Sequence, residues 1–124
     1  MPKAMFDDHP MPFEKLAVNQ YRGFCSHVYD GDTINVVTDL GFYVYHDLSL
    51  RFSNFSAPEV RGAEKSKGMR YKRAVEELIN DKPILFRATK GRTFTRWLGV
   101  VAYWDGVGFS PLVPAIKERV SSYG

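Results

Sequence analysis

One amphipathic helix interrupts a chain otherwise patterned for strands, and that order leaves few folds open. Tyr71, Ala74, Val75, Leu78 and Ile79 fall at the i, i+3, i+4, i+7, i+8 spacing of a single helical face, which predicts a helix from about Lys67 to Ile79. Asn80-Asp81 and Pro83 stop it. Upstream, Phe24, Ser26 and Val28 alternate with Cys25, His27 and Tyr29 in the two-residue period of a strand, and Asp30-Gly31 is a favoured hairpin turn pair. Ile34 and Val36 continue on a second strand. Asp39-Leu40-Gly41 marks another reversal, after which a long third strand runs to about Phe55. On it Leu48, Leu50 and Phe52 share one side, so Arg51 points to the other. Downstream, residues 84–88 and 97–104 read as two more strands separated by the basic loop Lys90-Gly91-Arg92, and Asp105-Gly106 signals a further hairpin. Ser110 and Pro111 supply an N-cap and a first-turn proline for a short closing helix carrying Leu112, Val113, Ile116 and Val120. The order predicts an α+β, mainly β chain. The expected architecture is a five-stranded barrel of the oligonucleotide-binding (OB-fold) type, with a helix between strands 3 and 4 and a short C-terminal helix.

A chain of 124 residues with 44% apolar and 15% aromatic content supports one core and one domain, assigned to residues 19–124. Residues 1–18 carry breakers and no sustained period, and read as an N-terminal extension. Cys25 is the single cysteine, so neither an internal disulfide nor a cysteine-rich zinc site forms, and His9, His27 and His46 lack metal-ligand spacing. The N-terminus has no apolar core of signal-peptide length and no run approaches a membrane span, so a cytoplasmic or otherwise intracellular protein without a membrane partner is expected. Charge is divided along the chain. Residues 1–58 hold four Lys/Arg against seven Asp/Glu, whereas residues 59–124 hold thirteen against seven. The basic half starts at Glu59 and includes Arg61, Lys65, Lys67, Arg70, Lys72 and Arg73. A polyanionic partner accounts for that asymmetry, although a solvated helix face explains any single charge in the run.

The chemistry-bearing residues are Asp30-Gly31-Asp32-Thr33, Arg51, Ala57-Pro58-Glu59 and Thr95-Arg96-Trp97-Leu98-Gly99. Chemistry on a phosphodiester needs hard oxygen ligands for a divalent cation, forked N–H donors for phosphate oxygens, and a carboxylate to handle water. Alone, Asp-Gly is a common turn; the combination is more specific. The order and spacing of these four motifs, from Gln20 to Tyr103, resemble the staphylococcal (micrococcal) nuclease family.

That resemblance implies a metal-dependent nuclease hydrolysing DNA or RNA, single-stranded or unpaired, with a divalent cation: calcium, or magnesium or manganese. It implies Asp32, Asp30 and the Ala57 carbonyl as the metal site, and Arg51 and Arg96 as the phosphate clamp. Glu59 becomes the carboxylate that positions or deprotonates the attacking water. The chain departs from the family pattern at Ser56, where relatives carry an aspartate that ligates calcium, and at Phe94, where many carry a tyrosine. A catalytically impaired module that binds nucleic acid or a protein partner is therefore the alternative. Lys67, Lys72 and Arg92 are expected to meet nucleic-acid phosphates, and Tyr43 and Tyr45 to stack on bases from a loop bordering the site. Cys25 reads as a buried thiol, and Trp97, Tyr103 and Trp104 as packing in or at the rim of the core.

Overall fold

A computed structural model describes residues 19–53, 55–93 and 96–123, with their side chains except those of 89–93 and 96. Six strands and two α-helices follow in order: β1 (Gln20–Asp30), β2 (Thr33–Asp39), β3 (Tyr45–Phe52), α1 (Lys65–Ile79), β4 (Pro83–Thr93), β5 (Arg96–Trp104), β6 (Phe109–Pro111) and α2 (Leu112–Ser122). The strands lie in the order β3-β2-β1-β4-β5-β6. A parallel pairing of β3 with β5, Leu50 opposite Trp97 and Phe52 opposite Gly99, closes the first five into a barrel. The predicted class and the positions of both helices are those observed; β6 is a three-residue addition outside the barrel, paired to β5.

The core follows the sequence periods. Ile34, Val36, Leu50, Phe52, Ile84, Phe86 and Val101 are buried from the strands, and Ala74, Val75, Leu78 and Ile79 from the predicted face of α1. Leu112 and Ile116 of α2 complete it. The chain leaves α1 at Asp81, whose left-handed backbone turns its N–H onto the Cys25 carbonyl at 2.8 Å. Glu77 ties the helices together: it accepts hydrogen bonds from Tyr123 of the chain end and from Arg73 and Arg119.

Boundaries and one strand parity differ from the sequence reading. Helix α1 starts at Lys65, ahead of the expected Lys67, because the 3₁₀ turn Gly62–Glu64 leads directly into it. β3 stops at Phe52, and β4 continues through Lys90-Gly91-Arg92 to Thr93, its register with β5 shifting between Ala88 and Arg92. Asp30 pairs with Thr33, so the first turn is Gly31-Asp32 rather than Asp30-Gly31. A bulge between Cys25 and His27 resets the alternation of β1, so that Cys25 and Val28 are both buried while His27 lies outside against the Tyr29 ring. Burial pushes the Cys25 thiol up to about 12, the chemistry of an inert core cysteine. Ser110 is not the cap of α2. Pro111 holds that position without a side-chain bond, and the Ser110 hydroxyl donates to Asp105, which organises the β5–β6 hairpin.

Candidate functional site

The two-residue turn between β1 and β2 places Asp32 where three separate chain segments meet. Its Oδ1 accepts from the Thr33 hydroxyl at 3.0 Å and its Oδ2 from the Ala57 N–H at 3.0 Å, and the Asp32 N–H donates to Asp30 Oδ1 at 3.1 Å. Arg51 sits opposite Thr33 in the β2–β3 ladder, so its guanidinium reaches the same carboxylate: Nη2 lies 3.8 Å from Asp32 Oδ2 and donates to Ser56 Oγ at 3.0 Å. Alternation along β3 turns Arg51 outward between buried Leu50 and Phe52, as its spacing predicts. Asp32, Asp30, Arg51, Ser56 and Ala57 are thus brought together from positions far apart in sequence.

The two aspartates titrate apart. Burial, then hydrogen bonding and repulsion from the Asp32 carboxylate, raise Asp30 above the ordinary range. Burial also acts against ionised Asp32, but hydrogen bonds from the Asp30 carboxyl, Ala57 N–H and Thr33 hydroxyl, with the Arg51 charge, outweigh it and bring Asp32 down. The linkage signs are opposite. Ionised Asp32 contributes stability above the unfolded aspartate pKa and loses it as pH falls through its lowered folded value. Asp30 favours the folded state while protonated, and that contribution is lost as pH rises from the unfolded value through the raised folded one. In chelator at neutral pH, Asp30→Asn is therefore expected to raise the melting temperature, because asparagine keeps both hydrogen bonds without the second charge. Asp32→Asn is expected to lower it. Melting curves of the two variants between pH 4 and 8 check the pair; shifts of the same sign would contradict the assignment.

Two glycines hold the 56–59 segment, and the sequence reading missed both. A Cβ on Gly31 would lie 2.6 Å from Ala57 Cβ and 2.6 Å from Tyr71 Cβ; one on Gly68 would lie 2.0 Å from the Glu59 carbonyl oxygen. The segment is therefore gripped between the β1–β2 turn and the first turns of α1, which sets where Glu59 starts. Glycine inside a helical pattern was the available signal. Alanine at an unhindered helix position would add about 1 kcal/mol. Here Gly68→Ala is expected instead to destabilise by about 1–3 kcal/mol, since rigid backbone must give way. Urea unfolding measures the sign.

The remaining predicted residues divide. Glu59 is exposed and makes no ion pair among the described residues. Arg96 opens β5, and the parallel register puts its backbone two positions before the residue opposite Arg51, about 8 Å away in Cα terms. The Arg96 and Arg92 side chains, and Phe94, lie outside the described residues. Lys67 is exposed and Lys72 half-buried on α1, where Lys65 and Arg70 add exposed charge, whereas Arg73 is committed to Glu77 and the Tyr123 ring. Tyr43 and Tyr45 belong to the β2–β3 hairpin at the Asp39 end. Asp32 and Arg51 are at the other end of that ladder, about 20 Å off, so the loop does not border the site as expected.

Among the described residues no group of three His, Cys, Asp or Glu converges as a metal cage. The donors that do converge are two neighbouring carboxylates, with Ser56 already bonded to Arg51, which is fewer free oxygens than a protein-built calcium cage supplies. No protein-family profile matches the chain, and no curated protein sequence matches it significantly. No helix among the described residues is long and apolar enough to cross a membrane.

Proposed function

We propose that this protein is a divalent-metal-dependent nuclease of the staphylococcal nuclease type, hydrolysing phosphodiester bonds of single-stranded or unpaired DNA or RNA. The observation that carries the reading is the meeting of Arg51, Ser56 and Ala57 around the Asp32 carboxylate on the wall of an OB-type barrel. Arg51 directs Nη2 to Ser56 and Asp32; its other guanidinium N–H groups are donors for the non-bridging oxygens of a phosphate, with Arg96 as the second fork. Glu59 accepts the proton of a water attacking phosphorus in line, and the departing 5′-oxygen is protonated by solvent. Asp30, Asp32 and the Ala57 carbonyl would hold a divalent cation, which would supply positive charge to the phosphate oxygens. Preorganised donors of the Arg51 kind stabilise the charge that spreads over the oxygens in the transition state. Exposed Lys65, Lys67 and Arg70 extend a positive surface along α1 for the flanking strand.

The second reading, a nucleic-acid-binding module without turnover, rests on Ser56, where a hydroxyl tied to Arg51 replaces an anionic ligand. One experiment separates them. Cleavage of single-stranded DNA is measured in calcium, magnesium and manganese for the natural chain and for Ser56→Asp, with ion affinity by calorimetry. Cleavage by the natural chain, and ion affinity rising on the order of tenfold in Ser56→Asp as carboxylate count increases, is the expected result. Tighter ion binding with no cleavage by either form, while polynucleotide still binds, assigns the protein to the second reading.

A further inference from the structure

The barrel is open at the end away from Asp32. There the inner faces of β1, β2, β3, β4 and β5 enclose a cavity of about 210 Å³ walled by Tyr21, Leu48, Leu50, Phe86 and Trp97. The Tyr21 and Phe86 rings are tilted against each other with centroids 5.7 Å apart. Thr38 is turned into this lining. It is 2% exposed, and its Oγ1 finds no hydrogen-bond partner among the described residues. A buried hydroxyl is almost always paired in a folded protein, because desolvating it without replacing the lost water costs free energy. Nothing in the phosphodiesterase reading uses this cavity, since Arg51 lies on the outer face of the wall whose inner face carries Leu50.

We propose that the barrel mouth is a binding pocket for one neutral aromatic ring bearing a single hydroxyl, with Thr38 as its hydrogen-bonding partner. Size sets the first limit. An apolar cavity of about 150 Å³ takes benzene, so this one takes a ring with a substituent, whereas pockets for nucleotide- or drug-sized ligands begin at about 300 Å³. Lining chemistry sets the second. Aromatic walls favour a ring in offset or edge-to-face contact, and the described lining contains no Asp, Glu, Lys or Arg to pair with a charged ligand. Thr38 sets the third: its hydroxyl is the buried polar group of the described lining that lacks a partner, and it satisfies one polar substituent of the ring. Leu40 and His46 stand at the mouth and leave it open to solvent.

Titration of the isotopically labelled full chain with phenol, toluene and N-acetyl-tyrosinamide, followed by NMR, tests the pocket. Phenol is expected to shift the Thr38 amide and the Trp97 indole saturably and to bind about three- to tenfold more tightly than toluene, the worth of one hydrogen bond. That advantage should vanish in Thr38→Val, which keeps the shape. Filling the mouth with Ala88→Leu should abolish both. Binding of N-acetyl-tyrosinamide at the strength of phenol would mark a protein tyrosine as the source of the ring, and its exclusion a free phenolic molecule. Absence of saturable shifts, or equal affinities for phenol and toluene that Thr38→Val leaves unchanged, overturns the proposal.

Discussion

Glu59→Gln is expected to lower phosphodiester cleavage about 100-fold or more while leaving the melting temperature unchanged. The side chain is exposed and makes no ion pair among the described residues, so no described contact is lost with its charge. Glutamine preserves length and shape but does not take a proton from water, and positioned proton transfer contributes about 10²–10⁴ in rate. The backbone that carries position 59 is set by Gly68, whose missing Cβ lets α1 close on the Glu59 carbonyl. A rate loss in Glu59→Gln therefore reports on the carboxylate and not on its placement. Initial rates on single-stranded DNA at saturating divalent ion, taken beside a thermal melt, provide the measurement. A folded variant that retains more than a tenth of the rate would remove Glu59 from the proposed role.

How far this site could be read from the chain depends on whether each signal is local. The face of α1 was legible because Tyr71, Ala74, Val75, Leu78 and Ile79 repeat within one element, and Arg51 was legible as outward because strand alternation fixes it relative to Leu50 and Phe52. Barrel closure through the parallel β3–β5 pair joins residues separated by a whole helix and carries no local mark. Parity in β1 misled for a similar reason. Whether Cys25 and Val28 share a side depends on a bulge that only pairing with β2 defines. The convergence of Asp32 with Ala57 was expected through family resemblance alone, and the glycines that make it fit read locally as a turn residue and a weak helix former. Tyr43 and Tyr45 are expected beside the site from their place in the hairpin loop before the third strand, but seven consecutive paired residues in the β2–β3 register carry them to the opposite end.

Arg51→Ala is expected to cost about 10²–10³ in cleavage, the range for losing one preorganised donor to the transition state. Two contributions are removed together. The guanidinium is the cation beside Asp32 and the donor to Ser56, so its loss raises Asp32 toward the ordinary carboxylate range and leaves the Ser56 hydroxyl to water. It is also, in the proposed mechanism, one of two forks on the phosphate. Arg51→Lys separates these contributions, because an ammonium keeps the positive charge near Asp32 but offers no planar pair of donors. The lysine form should retain the melting temperature of the natural chain and bind divalent ions as well, yet lose most of the rate. The alanine form should lose rate and also show an Asp32 titration moved to higher pH by NMR. If lysine restores cleavage to within about threefold, charge near Asp32 suffices and bidentate grip on phosphate is not what Arg51 supplies. If both variants cleave at the natural rate, the outer wall around Asp32 is not the reacting surface, and the assignment of the site to Arg51 and Asp32 fails.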